Sequence, residues 1–149
     1  MRAVVFHQPG SPLSIESVDD PQPEAGQVVI AVKRCGICGT DLHATEEHDG
    51  LLEPGTVMGH EFAGEIVEVG SGCPGDWRPG RKVTGLPSHS CGECLACKTG
   101  KPLQCQDNII LGLQRSGGFA EYMALDVNNS VLLPDSIDWV EGALIEPLA

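Results

Sequence analysis

Short runs rich in apolar and β-branched residues recur along the chain: AVVF, LSIESV, QVVIAVKRC, HEFAGEIVEVG, RKVTGL, FAEYMALD and SVLLP. Several alternate apolar with polar positions, the period of a strand that buries one face. Between them stand QPGSP, DDPQPEAG, EPG, GSGCPGDWRPG and RSGG, whose Gly and Pro residues favour turns and end strands. Nineteen Gly and eleven Pro suit many turns between short strands. The pattern predicts a mainly β region over residues 1–133, a partly open barrel with a cysteine-rich lobe inserted between strands. After Pro134 the chain changes character. In DSIDWVEGALIEPLA, Asp135 or Ser136 is placed to cap a helix, with Val140, Leu144 and Ile137 on one face. No internal repeat is visible, and no GxGxxG turn leads into an amphipathic helix, so no dinucleotide-binding unit is expected in this stretch.

Composition sets the surroundings. A chain of 149 residues can build an apolar core without disulfides, and 41% hydrophobic with 20% charged residues is ordinary for a soluble globular protein. The net charge of −12, with nine scattered Lys and Arg, argues against nucleic-acid and anionic-membrane partners, which require a basic patch. The N-terminal MRAVVFHQPGSPL has no apolar signal region, and no segment approaches the roughly 18 apolar residues of a membrane span. A reducing cytoplasm is the expected location. There, clustered cysteines favour metal over disulfides.

Four of the seven cysteines, Cys91, Cys94, Cys97 and Cys105, follow the spacing C-x2-C-x2-C-x7-C. Two intervening residues let a tight turn aim both thiolates at one ion, and four thiolates close a tetrahedron around zinc, leaving no open position. A structural zinc is the expectation. The ferredoxin run begins alike but continues with three residues and then Cys-Pro, whereas here KTGKPLQ intervenes and Gln106 follows. That spacing disfavours an iron–sulfur cluster, and disulfides or free thiols remain the other alternative. Gly92, Gly100 and Pro102 mark the segment as a loop outside strands and helices.

A second group lies apart from the lobe: Cys38 in KRCGICGTDLH, and His60 with Glu61 in VMGHEFAGEIVEVG. Alone, each is ordinary, a small core thiol, a satisfied imidazole or a solvated carboxylate. Together they form the mixed ligand set of a zinc that keeps a position open for substrate.

GHEFAGEIVEVGSGC, from Gly59 to Cys73, resembles the signature of zinc-containing medium-chain alcohol dehydrogenases, and CGICGTDLH, the four-cysteine lobe and GALIEPLA follow that family's order. The final motif is most similar to the polyol and threonine dehydrogenase branch. The resemblance covers essentially the whole chain. It implies a GroES-like catalytic domain over residues 1–149, with the structural-zinc lobe at about 88–108 and an interdomain helix beginning at about 136–149. It implies that Cys38, His60, Glu61 and Glu146 surround a catalytic zinc, Glu146 standing where many relatives have a second Cys. Thr40 would bond the substrate hydroxyl, His43 would pass its proton toward solvent, and Asp41 would hold the ring of His60. Gly59, Gly64 and Gly70 are implied to be structural, and Cys35 and Cys73 to be non-ligand thiols. Gly39 stands where some members carry a basic residue near the cofactor pyrophosphate, so that contact is not expected.

The implied activity is oxidation of a small alcohol or polyol by NAD or NADP, with two zinc ions per chain, in a homo-oligomer when the enzyme is full length. Family members continue into a Rossmann domain that this chain does not contain, so the chain alone is expected to be inactive. With three residues beyond it, Glu146 is expected to fray from the metal. Two other classes stay open: a non-catalytic zinc-binding interaction module, which would bind a single zinc, and an iron–sulfur electron carrier, which would be coloured.

Overall fold

The computed structural model describes residues 1–46 and 52–149. The strands in chain order are β1 (Arg2–Val5), β2 (Ser14–Ser17), β3 (Gln27–Gly36), β4 (Glu61–Val69) and β5 (Lys82–Gly85). They are followed by β6 (Ser88–His89), β7 (Ile109–Ile110), β8 (Tyr122–Asp126) and β9 (Ser130–Leu132). Every run read as a strand from the sequence contains one. The two-residue strands β6 and β7 are additions, too short to show a period; they pair as a ribbon at the base of the lobe.

Five strands form an antiparallel sheet in the order β8-β3-β4-β5-β9, and β1 and β2 form a hairpin. Isolated bridges from Ala3 to Ala120 and from Val5 to Val57 tie the hairpin to the sheet. The β3–β4 register slips between Val29 and Ile30 and again between Val32 and Arg34. Such bulges bend and twist a strand pair, and here they curl the sheet into a half-barrel. Val28, Ile30, Phe62, Ile66 and Val83 fill its interior with no exposed surface. Burying each large side chain contributes about 1.5–3 kcal/mol, so the barrel needs no metal to hold its shape.

The helices are short: α1 (Gly39–Glu46), α2 (Leu95–Lys98), α3 (Trp139–Ala143) and α4 (Ile145–Leu148). The lobe is therefore not wholly irregular. Cys94 caps the single turn α2, and a 3-10 turn follows at Pro102–Gln104, because bringing thiols three residues apart to one point requires a turn. Among the described residues no helix is long and apolar enough to cross a membrane.

The C-terminal helix differs from the sequence reading in its cap and its face. Asp138 is the cap, accepting from the amides of Val140 and Glu141, and Glu141 reaches back to the Asp138 amide. That reciprocal box fixes the start three residues beyond Asp135. Val140 and Leu144 point outward, 52% and 47% exposed. The inward stripe is Trp139, Gly142, Ala143 and Glu146, spaced i, i+3, i+4, i+7. Its centre consists of two small residues, and a Cβ on Gly142 would meet Leu133 Cδ1 at 2.8 Å and Ala63 Cβ at 3.0 Å. Close approach to the sheet selected this face. Pro147, which has no N–H to offer the preceding turn, accounts for the break between α3 and α4.

Candidate metal centres

The lobe brings its four sulfurs to one point. Cys91 Sγ lies 3.4 Å from Cys105 Sγ and 4.0 Å from Cys97 Sγ; Cys94 Sγ lies 3.5 Å from Cys97 Sγ and 3.8 Å from Cys105 Sγ. Four sulfurs about 2.3 Å from one tetrahedral ion stand roughly 3.8 Å apart, the middle of that range. All seven cysteines are unpaired. A multi-iron cluster hangs its thiolates on different irons and needs wider separations, so this cage suits a single ion. The backbone amides of Cys91 and Cys94 point at Cys105 Sγ and Cys91 Sγ, each at 3.4 Å. Such donors favour thiolates, and the Cys97 amide together with neighbouring thiols holds the Cys94 thiol well below its usual range. The lobe has little apolar support of its own: Leu95 and Leu103 are 80% and 75% exposed.

The second centre is assembled by the sheet. In the β3–β4 register Gly36 stands opposite Glu61, so Cys38, two residues past Gly36, meets His60 at the mouth of the pair. The ligand atoms of Cys38, His60 and Glu61 all lie within 4.8 Å of one another. A Cβ on Gly36 would fall on the Glu61 carboxylate, so the missing side chain is the space that carboxylate fills. Gly59 supplies the approach to His60: its φ is +93°, and Phe119 Cδ1 lies 2.5 Å from where a Cβ would stand.

These residues open onto a cleft of about 420 Å³, lined by Cys38, Thr40, His60, Glu61, Pro87, Ile110, Leu113, Glu146 and Pro147. Glu146 lines the cleft wall, outside the tight group of three. Thr40 Oγ1 lies 3.6 Å from Cys38 Sγ. His43 is exposed on α1 and does not line the cleft. Pro87, Ile110, Leu113 and Pro147 were not singled out from sequence. They form an apolar wall whose only signal was proximity to the lobe and to Glu146.

Asp41 connects two of the three close groups. One carboxylate oxygen accepts from the Cys38 amide at 2.9 Å, and the other faces His60 Nδ1 at 3.4 Å. The latter two atoms are buried, and at this geometry they fall short of a formed hydrogen bond. Asp41 pulls the His60 pKa up to about 9 against the opposing effect of burial, with Cys38 adding to the rise. Burial raises Glu146; His60 opposes that rise and Glu61 adds to it. The cleft is built to hold a positive charge. A cation bound through the other ring nitrogen of His60 would leave Nδ1–H aimed at Asp41, the outer contact a ligating imidazole requires. The donor set fits zinc. Cys35, by contrast, is pushed up to a pKa of about 12, chiefly by burial, and packs partly buried against the core, the setting of an unreactive thiol.

A curled β half-barrel, a Cys/His/Glu group in an open cleft and a separate closed cage of four cysteines together define the catalytic-domain class of zinc dehydrogenases. Residues 24–135 match the family described as alcohol dehydrogenase GroES-like domain, and the chain belongs to that family, within the zinc-containing medium-chain alcohol dehydrogenases. L-threonine 3-dehydrogenase of Xanthomonas euvesicatoria pv. vesicatoria is 34% identical over 99% of this chain and 44% of its own length. Galactitol-1-phosphate dehydrogenase of Escherichia coli superposes with a TM-score of 0.92 at 33% identity, covering 99% of this chain and 42% of that one. RspB of Escherichia coli CFT073, solved with NADH, gives 0.90 at 37% identity, again over 99% and 42%. The chain spans less than half the length of these relatives.

Proposed function

We propose that residues 1–149 form the catalytic domain of a zinc-dependent dehydrogenase that oxidises a small secondary alcohol or polyol with NAD or NADP. The observation that carries the proposal is the convergence of Cys38, His60 and Glu61 within 4.8 Å at the floor of an open cleft. In this reading those residues and Glu146 hold the catalytic zinc, while Cys91, Cys94, Cys97 and Cys105 hold the structural one within a lobe at about 88–108. The helix from about 136 leads toward the nucleotide-binding part.

Zinc in the cleft would supply Lewis acidity that lowers the pKa of a substrate hydroxyl. The chain's own residues do the rest. Thr40, beside Cys38, would take the substrate hydroxyl's proton as it releases its own, and His43, exposed three residues further along α1, would receive that proton and pass it to solvent. Asp41 orients His60 and fixes the backbone of Cys38. Pro87, Ile110 and Leu113 exclude water and give the substrate an apolar wall. The nicotinamide would serve as the hydride acceptor. No dinucleotide-binding motif occurs in these residues, so turnover requires a nucleotide-binding domain of the kind that would occupy the remaining length of the relatives. The working form in this reading is a cytoplasmic homo-oligomer.

The test is to join the chain to a nicotinamide-binding domain from a relative and follow NAD(P)H formation over a panel of secondary alcohols and polyols. Turnover abolished by Cys38→Ser is the expected result. Turnover by the unjoined chain, or turnover unaffected by Cys38→Ser, would refute the reading.

A further inference from the structure

Lys82 has an environment unlike that of the other cations. Its ammonium donates to the carbonyl of Ile137 at 2.7 Å and to that of Asp135 at 3.0 Å, and it sits 4.9 Å from the centroid of the Trp139 ring. Both carbonyls belong to the turn immediately before α3, and Trp139 is the first residue of that helix. Lys82 itself is fixed: it opens β5, stands opposite Glu65 in the ladder, and its carbonyl accepts from the Leu133 amide at 2.8 Å. The sheet thus grips the helix entry at three points through one side chain.

The grip acts along the inward stripe. Trp139, Gly142, Ala143 and Glu146 occupy one helical face, with Lys82 holding its beginning and the cleft receiving its end. In the middle, Gly142 lies against Ala63 and Leu133 with no room for a side chain, so the helix sits close on the sheet and a shift at its entry is passed along its axis. Glu146 lies three residues beyond Ala143, past the break at Leu144, so where its carboxylate meets the cleft follows from how α3 is seated. Its placement is set upstream.

We infer that Lys82 is a positioning residue for the catalytic metal: by clasping the Asp135–Trp139 entry it sets α3 and α4 so that Glu146 reaches the cleft. This inference rests on the reading of Glu146 as a ligand. Lys82 touches neither the metal group nor the cleft, and its effect passes through Glu146.

The experiment measures zinc affinity at the cleft by competition with a chelator, and repeats the loading with Co²⁺ to record the visible spectrum. Lys82→Met is expected to weaken the cleft metal by roughly 10-fold, the lower end for loss of an outer support, and to shift the Co²⁺ bands while the lobe metal stays bound. Lys82→Arg, which keeps both carbonyl contacts and the ring contact, is expected to restore affinity and spectrum. Should Lys82→Met fail to fold, Lys82→Gln, which retains an N–H donor without the charge, gives an intermediate loss. The double variant Lys82→Met with Glu146→Gln is expected to be no weaker than Glu146→Gln alone. Additive losses would overturn the inference, as would a Lys82→Met protein with unchanged affinity and spectrum. Unchanged affinity in Glu146→Gln would instead reject Glu146 as a ligand, and the inference with it.

Discussion

In the proposed reading the lobe takes its four ligands from residues 91–105, whereas the cleft takes Cys38 and His60 from the ends of two strands and Glu146 from a helix far along the sequence. The lobe carries its leucines on the outside and has Cys105 as its buried member; the cleft rests on a core in which Phe62 and Ile66 are fully enclosed. One site is local in sequence and, in this reading, would depend on its metal for order. The other is remote in sequence and depends on the sheet. Both bind zinc in that reading, yet the free energy flows in opposite directions: metal would fold the lobe, whereas the folded barrel prepares the cleft.

Phe62→Ala gives the largest effect expected from this contrast. Truncating a side chain with no exposed surface costs about 3–5 kcal/mol, a large fraction of the roughly 5–15 kcal/mol that holds a domain folded. Denaturant unfolding should show the loss, and the cleft metal should go with it. Next comes Cys97→Ser, which should release the lobe metal and free the amides of residues 91–105 to exchange, while protection in β3 and β4 is retained. Barrel amides that lose protection equally would mean that the lobe is a structural keystone, and the comparison would break. Gly59→Ala is expected to cost about 1–3 kcal/mol from its left-handed backbone, with additional strain against Phe119, and to weaken the cleft metal ahead of the lobe metal.

The smallest effect concerns the surface. The Arg2 amide, and then its guanidinium, hold Glu121 below the ordinary carboxylate range. The stability this pair contributes is present above the unfolded pKa and disappears as pH falls through the lowered value. Arg2→Ala should therefore reduce stability slightly at neutral pH and have no effect in strong acid, leaving both metal sites unaltered. Melting curves across that pH range check it.

The sequence was most legible where residue type and local geometry coincide. Strands β3 and β4 show as β-branched runs because one face of each packs on the core, and the cysteine spacing of the lobe encodes its own geometry. The stripe on α3 was hidden by a different logic. Val140 and Leu144 carry the hydrophobicity, but Gly142 and Ala143 carry the packing, because closeness to Ala63 mattered more than apolar area. Asp135, Ser136 and Asp138 are all competent caps, and only the reciprocal bond with Glu141 selects among them. Helix α1 escaped notice because its inward residues are Asp41 and Ala44, which have no apolar period. The meeting of Cys38 with His60 depends on the β3–β4 register, a long-range quantity that residue patterns alone leave open and that the family resemblance supplied.

Counting zinc per polypeptide tests the central claim most directly. Elemental analysis of the purified chain should find two zinc ions, with one remaining in Cys38→Ser and one remaining in Cys97→Ser, since the two sites share no ligand. A single zinc in the parent chain, or the loss of both ions from either folded variant, would contradict two independently built centres.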